Sequence, residues 1–228
     1  MMKPDWKEQL TVKALYREPE HSIAYPYLAR FTYPWEALSG LSDYILECGA
    51  TLPADEYDHP AADIWISKRA TVAPSASIAG PLIVCADAQI RQCAFVRGSA
   101  IIGCNAVVGN STELKNCILF DNVQVPHFNY VGDSILGYRS HMGAGSVTSN
   151  VKSDKSLVCI RFGGERIETG RKKVGAMLGD YVEVGCNSVL NPGTVIGRCS
   201  NVYPLSSVRG WIPANHIFKS ANQIVEKK

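Results

Sequence analysis

From Ile66 onward a bulky apolar residue returns at every sixth position: Ile66, Val72, Ile78, Val84, Ile90, Val96, Ile102, Val108, Leu114 and Phe120. Four places after each of the first eight stands a second residue: Ala70, Ala76, Leu82, Ala88, Ala94, Ala100, Ala106 and Thr112, seven of them small. The beat returns at Leu178, Val184, Leu190, Ile196, Val202 and Val208, followed by Val182, Ser188, Thr194, Ser200, Ser206 and Ile212. One large and one small residue per six is the mark of a hexapeptide β-helix. Each short strand turns one bulky and one small side chain into a narrow prism, and three strands close a coil. A β-sandwich does not explain the pattern, because its strands vary in length and its turns come roughly every 8–12 residues. The repeat also fixes geometry: residues eighteen apart stack on one face, about 4.8 Å apart along the axis.

Composition narrows the function classes. The chain has 228 residues, is 46% hydrophobic and 19% charged, and carries a formal net charge of +2. That balance argues against a protein that binds nucleic acid through bulk electrostatics. No apolar run approaches the roughly 18 residues needed to span a bilayer, so no membrane association is expected. The opening MMKPDWKEQ is charged and lacks the apolar segment of a secretion signal, which makes the cytoplasm the expected compartment. The eight cysteines (48, 85, 93, 104, 117, 159, 186 and 199) show no C-x-x-C pair. They read as free thiols of a reducing compartment, and most are expected to lie outside the core.

Three regions are expected. Residues 1–63 are rich in aromatics and proline and form an N-terminal cap, with a helix over about 35–48 that places Leu38, Leu41, Ile45 and Cys48 on one face. A lone amphipathic helix cannot bury itself, so it should pack on the first coil, where it would also shield an exposed sheet edge. Residues 64–212 form the β-helix, interrupted near 151–173 by a charged insertion. There Leu157–Phe162 and Glu165–Thr169 flank Gly163-Gly164, a hairpin signal. The insertion is either a binding wall or a solvated loop. Residues 213–228 are a tail or short helix.

The beat shortens to five between Phe120 and Val125 and again between Val131 and Leu136, and VPHFNYV lies between. A shortened rung displaces backbone and re-aims side chains, as a bulge does. It holds His127, a side chain able to accept a proton near neutral pH, with Tyr130 three residues on. Arg97 and Lys115 are eighteen apart and occupy one place on consecutive coils, so a shared anion would explain two stacked cations.

The run VPHFNYVGDSILGYRSHMGAGSVTSN closely resembles the acetyltransferase half of the bacterial bifunctional enzyme that makes UDP-N-acetylglucosamine, and its archaeal sugar-1-phosphate relatives. The likeness covers roughly residues 95–150 and 174–208. The whole chain also resembles stand-alone left-handed β-helix proteins labelled as pyrophosphorylase-related, which share the aromatic N-terminal segment. The resemblance implies an all-β, left-handed parallel β-helix of hexapeptide repeats that works as a homotrimer, with active sites between neighbouring prisms. It implies an acetyl-CoA-dependent acetyltransferase acting on an amino-sugar phosphate or nucleotide sugar by direct transfer, with no metal required.

By the same resemblance, His127 is the general base that takes a proton from the sugar amine as it attacks the thioester. Arg97 and Lys115 hold the sugar phosphate, and Tyr130 and Asn150 hydrogen-bond the sugar. Backbone N–H groups around Ala144 bind the acyl end, and Cys186 lies in the coenzyme-binding coil. His141 stands where the family has a substrate-binding asparagine, and either Lys155 or Lys173 matches the family's lysine. No glycine-rich nucleotide loop supports the family's second activity, and 63 N-terminal residues cannot build a nucleotide-binding α/β domain. Two other readings stay open. One is a non-catalytic sugar-nucleotide binding or assembly protein; the other is a zinc carbonic anhydrase on the same fold, which needs three converging histidines.

Overall fold

The computed structural model describes residues 5–227. Three columns of short parallel strands wind into the expected β-helix. One flank holds Ile64–Ser67, Leu82–Val84, Ala100–Ile102, Ala176–Leu178, Thr194–Ile196 and Trp211–Ile212. A second runs from Thr71–Val72 through Val107–Asn110, Gln124–His127 and His141–Met142 to Asn201–Val202. The third includes Ser77–Ala79, Phe95–Arg97, Val147–Thr148, Val189–Leu190 and Ser207–Val208. Two seven-residue strands, Glu113–Leu119 and Tyr130–Leu136, turn the corner from the third flank onto the first.

Register shows where the coil contracts. Leu114 pairs with Val96 eighteen residues back, but Leu119 pairs with Ile102 only seventeen back. The first five-residue step therefore runs from Leu114 to Leu119, and Leu119, not Phe120, takes the bulky position. The second runs from Val131 to Leu136, as the sequence indicated, and the coil stays seventeen residues long through Gln124↔His141 and Tyr130↔Val147. This slip also moves Cys117 into the column of small inward residues, between Ala100 and Ser134. It is fully buried, contrary to the expectation for the cysteines, and burial pushes its thiol up to about 12. Cys85 is buried as well.

The first flank is apolar on both sides. Between its inward residues stands an outward rib in register: Trp65, Ile83, Ile101, Ile118, Ile135, Met177, Val195 and Trp211. Ile83, Ile101, Ile118, Ile135, Met177 and Val195 are all fully buried. The N-terminal segment covers them, running antiparallel to the coil direction. Trp6 lies 6.1 Å from the Trp211 ring, Asp180 N–H donates to the Leu15 carbonyl, and Asp121 N–H donates to the His21 carbonyl. Farther on, Leu41–Gly49 packs against Leu82–Val84 and Ala100–Ile102. The helix thus packs on the early coils, its Gly49 against Trp65, and the segment before it runs along the rest of that side of the prism. A sheet face that is apolar on both sides must be covered, and this segment is what covers it.

The helix expected over 35–48 is broken in two. Pro34–Ser39 is a 3-10 helix and Leu41–Gly49 an α-helix, with Gly40 between them. The Tyr27 hydroxyl donates to the Ala37 carbonyl at 2.7 Å and fills the space beside Gly40, so that carbonyl serves a side chain across the junction. The C-terminal segment is a β-hairpin, not a helix: His216–Ser220 pairs with Asn201–Val202 and then with Gln223–Glu226. It continues the second flank by one rung and folds the last strand back along the edge.

Candidate active site

His127 ends its strand on the ridge where the second and third flanks meet, and its side chain is exposed. Its main chain is held from both sides. The His127 N–H donates to Asn129 Oδ1 at 3.1 Å, and the His127 carbonyl accepts from Gly145 N–H at 3.0 Å. Asn129 itself points into the prism and is buried; its Nδ2 donates to the carbonyls of Gly143 and Ser146 at 2.9 and 3.0 Å. An amide in a column of otherwise small residues thus ties the His127 rung to the next one. Sequence reading passed over Asn129, although a polar residue at an inward position is itself the signal, because a buried amide must find partners.

The ridge continues in order. Gly145 N–H joins the Ala144 turn to His127, Asn187 N–H donates to the Ala144 carbonyl at 2.8 Å, and Leu205 N–H donates to the Cys186 carbonyl at 2.9 Å. His127, Ala144 and Cys186 therefore stand on consecutive rungs of one edge. His141 lies on the second flank beside it, its Nδ1 2.8 Å from Glu183 Oε2. Among the described residues, neither His127 nor His141 belongs to a group of three or more metal-ligating side chains near one another; Glu18, Glu20 and His21 on the N-terminal segment do. Among the described residues of this chain, no three histidines come together.

The third flank carries the other candidates, organised by a residue the sequence reading left without a role. Asp133 is buried and accepts from Asn116 Nδ2 at 2.8 Å and from Asn150 Nδ2 at 2.6 Å, with Lys115 Nζ at 3.9 Å. Asn150 also donates to the Tyr130 hydroxyl at 3.2 Å. The Tyr130 ring lies over Gly132, where a Cβ would collide with its hydroxyl. Burial, then the nearby charges of Asp133 and Glu113, push the Tyr130 phenol above its ordinary range and keep it protonated. Asn116, Asp133 and Asn150 are seventeen residues apart, so the cluster becomes legible once the contracted coil is recognised.

Arg97 and Lys115 stand side by side on neighbouring strands of the third flank. Arg97 Nη1 lies 2.8 Å from Glu113 Oε1, and Lys115 faces Asp133, so each cation has its own carboxylate. Lys155 sits exposed in a turn with φ of 59°. Lys173 forms an antiparallel bridge with Val151, and the next residue, Val174, donates its N–H to the Asn150 carbonyl at 3.0 Å. The backbone thus brings Lys173 next to Asn150.

These features define a hexapeptide-repeat β-helix with an exposed imidazole on one ridge and a polar cluster on the adjoining flank. The chain belongs to the family described as the GMPPB C-terminal domain, whose pattern matches residues 78–202. It is similar to a bifunctional sugar-1-phosphate nucleotidylyltransferase/acetyltransferase of Sulfurisphaera tokodaii, 34% identical over 112 residues, covering 49% of this chain and 28% of the relative. It is also similar to the bifunctional protein GlmU of Methanococcus maripaludis, 38% identical over 107 residues, covering 47% and 26%. The matched stretch thus spans about a quarter of the length of these relatives. Among solved structures, the acetyltransferase domain of PglB from Neisseria gonorrhoeae, in complex with acetyl coenzyme A, superposes with a TM-score of 0.34 at 17% identity, over 71% of this chain and 56% of that one.

Proposed function

We propose that the chain is an acetyltransferase that moves the acetyl group of acetyl-CoA to the amine of a sugar phosphate or nucleotide sugar. The observation that carries this reading is the division of labour across one ridge. An exposed imidazole with a locked backbone stands on the edge, and a pre-organised cluster of Tyr130, Asn150, Asp133 and Lys115 stands on the flank beside it. The 34% identity over 112 residues to a bifunctional sugar-1-phosphate nucleotidylyltransferase/acetyltransferase supports it.

In this mechanism the sugar amine attacks the thioester carbonyl and forms the C–N bond. His127 takes the amine proton, the C–S bond breaks, and the imidazolium returns that proton to the departing thiolate. Backbone N–H groups around Ala144 steady the oxyanion, and the coenzyme arm follows the ridge past Cys186. Tyr130 and Asn150 orient the sugar, and Lys115, Arg97 and Lys173 face its phosphate. His141, held by Glu183, contacts the sugar from the second flank. No step uses a metal.

The working unit we propose is a homotrimer in the cytoplasm. The uncovered ridge exposes Phe128 and Leu205, at 63% and 80%, a pair of apolar side chains suited to a neighbouring prism. All eight cysteines are free thiols, which suits a reducing compartment. The test is mass spectrometry of product after incubation with acetyl-CoA and a panel of amino-sugar 1-phosphates. One added acetyl group on the acceptor, lost in His127→Ala, is the expected result. Turnover that survives His127→Ala contradicts the assigned base, and sugar-phosphate binding without product from any acceptor favours a binding protein instead.

A further inference from the structure

The charged insertion does not stand free in solvent. Its hairpin, Cys159–Phe162 with Glu165–Glu168, lies back along the last coils. Phe162 packs edge-on against Trp211 with ring centroids 4.6 Å apart, and Lys7 Nζ reaches Glu165 Oε2 at 3.0 Å. The Arg161 carbonyl sits where a side chain at Gly210 would have to go, so Gly210, with φ of 78°, lets the hairpin strand approach the coil closely. This approach sets Arg161 beside Arg209 and Lys152 around a recess of about 150 Å³ that Pro192 also lines. A second recess of about 250 Å³ adjoins it, sharing Lys152, Pro192 and Arg209 and opening onto Ser149 and Asn191.

The charge there differs in kind from that around Lys115. Asp154, 3.7 Å from Lys152 Nζ, is the one carboxylate lining either recess, and among the described residues neither Arg161 nor Arg209 has a carboxylate within salt-bridge distance. Arg209 is instead oriented by Asn191, whose Oδ1 accepts from Nη2 at 3.1 Å, and the Arg161 Nε faces Cys159 Sγ at 3.2 Å. Three cations against one carboxylate leave two positive charges converging on a polar hollow. Guanidinium groups recognise phosphate oxygens in paired fashion, and two of them with a lysine match a diphosphate better than a single phosphate. The site shares its flank with the candidate active site. Lys115, Gly132, Ser149, Asn191 and Arg209 follow one another on successive rungs, four strand spacings or roughly 19 Å from end to end.

We propose that Arg161, Arg209 and Lys152 form a binding site for the diphosphate group of a nucleotide. Coenzyme A and a nucleotide sugar both carry that group; the choice between them as source rests on the acetyltransferase reading, but the diphosphate site does not. The test is isothermal titration calorimetry of the full chain at low salt with inorganic pyrophosphate, CoA and UDP. Pyrophosphate is expected to bind, more weakly as salt rises, and the double variant Arg161→Ala/Arg209→Ala to weaken it at least tenfold. Arg166→Ala, which removes an exposed arginine already paired with Glu168, leaves it unchanged. The same loss for CoA but not UDP identifies the coenzyme as the source, and the reverse pattern the nucleotide sugar. Thermal melts verify that the double variant is folded, and Arg161→Lys/Arg209→Lys retains part of the affinity. Equal pyrophosphate affinity in wild type and double variant, or none in wild type, overturns the site. Failure of acetyl transfer with pyrophosphate binding intact overturns only the acetyltransferase reading.

Discussion

Two flanks of the same prism obey one inward rule and differ only in what they turn outward. On the first, each rung adds an apolar residue immediately before the bulky one, and 45 residues of N-terminal chain, 5–49, lie over the resulting rib. On the third, the outward places are taken by Phe95, Arg97, Glu113, Lys115 and Tyr130, which stay exposed or half-buried among the described residues. The repeat builds the scaffold on both sides. The outward residues decide that one side becomes core while the other keeps its hydrogen-bonding groups available to a ligand. Each fully buried isoleucine of the rib contributes roughly 1.5–3 kcal/mol through burial, which makes the covering segment integral to the fold.

The comparison breaks most severely if the cover is removed. A chain lacking residues 5–49 exposes Ile83, Ile101, Ile118 and Ile135 together and is expected to aggregate, read by size-exclusion chromatography and light scattering; a soluble, fully folded truncation contradicts the account of the first flank. Short of that, Trp35→Ala removes a side chain only 2% exposed in the cover and should cost about 3–5 kcal/mol in urea denaturation. The third flank should behave in the opposite way. His127→Ala is expected to lower turnover about 10²–10⁴-fold while the melting temperature stays within a degree or two, since the side chain is exposed. Asp133→Asn falls between the two. Asparagine tolerates its φ of 48° but leaves the cluster with one hydrogen-bond acceptor too few, costing about 1–3 kcal/mol and raising KM for the sugar phosphate more than it lowers kcat. The smallest contrast separates two lysines: Lys173→Ala is expected to raise that KM several-fold and Lys155→Ala to leave it unchanged, measured by initial rates.

What the sequence disclosed follows the same divide. The inward repeat was readable because every rung restates it, and His127 stood out because the beat shortens around it. The outward rib was also present, as a doubled apolar pair once per coil, Ile83-Val84, Ile101-Ile102 and Ile135-Leu136 among them, but it recurs only every third rung and escapes a six-residue count. For that reason only the packing of the helix was expected, and not the long run of chain before it along the same flank. The contracted coil was detected but its first step was placed one rung late, which left Cys117 outside the core and Asp133 unassigned. The break falls at Gly40, a weak local signal within a helical pattern, and the Tyr27 hydroxyl thirteen residues upstream fills the space beside it. The placement of the insertion against Trp211 likewise depends on tertiary contacts that no local pattern encodes.

The most direct measurement is hydrogen–deuterium exchange with and without glucosamine-1-phosphate and CoA. The account predicts slower exchange in peptides holding Phe95–Arg97, Glu113–Lys115 and Gln124–Gly132, and no change in those spanning 10–45. Protection confined to the covered flank, or absent from all three peptides of the open one while the ligands are bound, would contradict it.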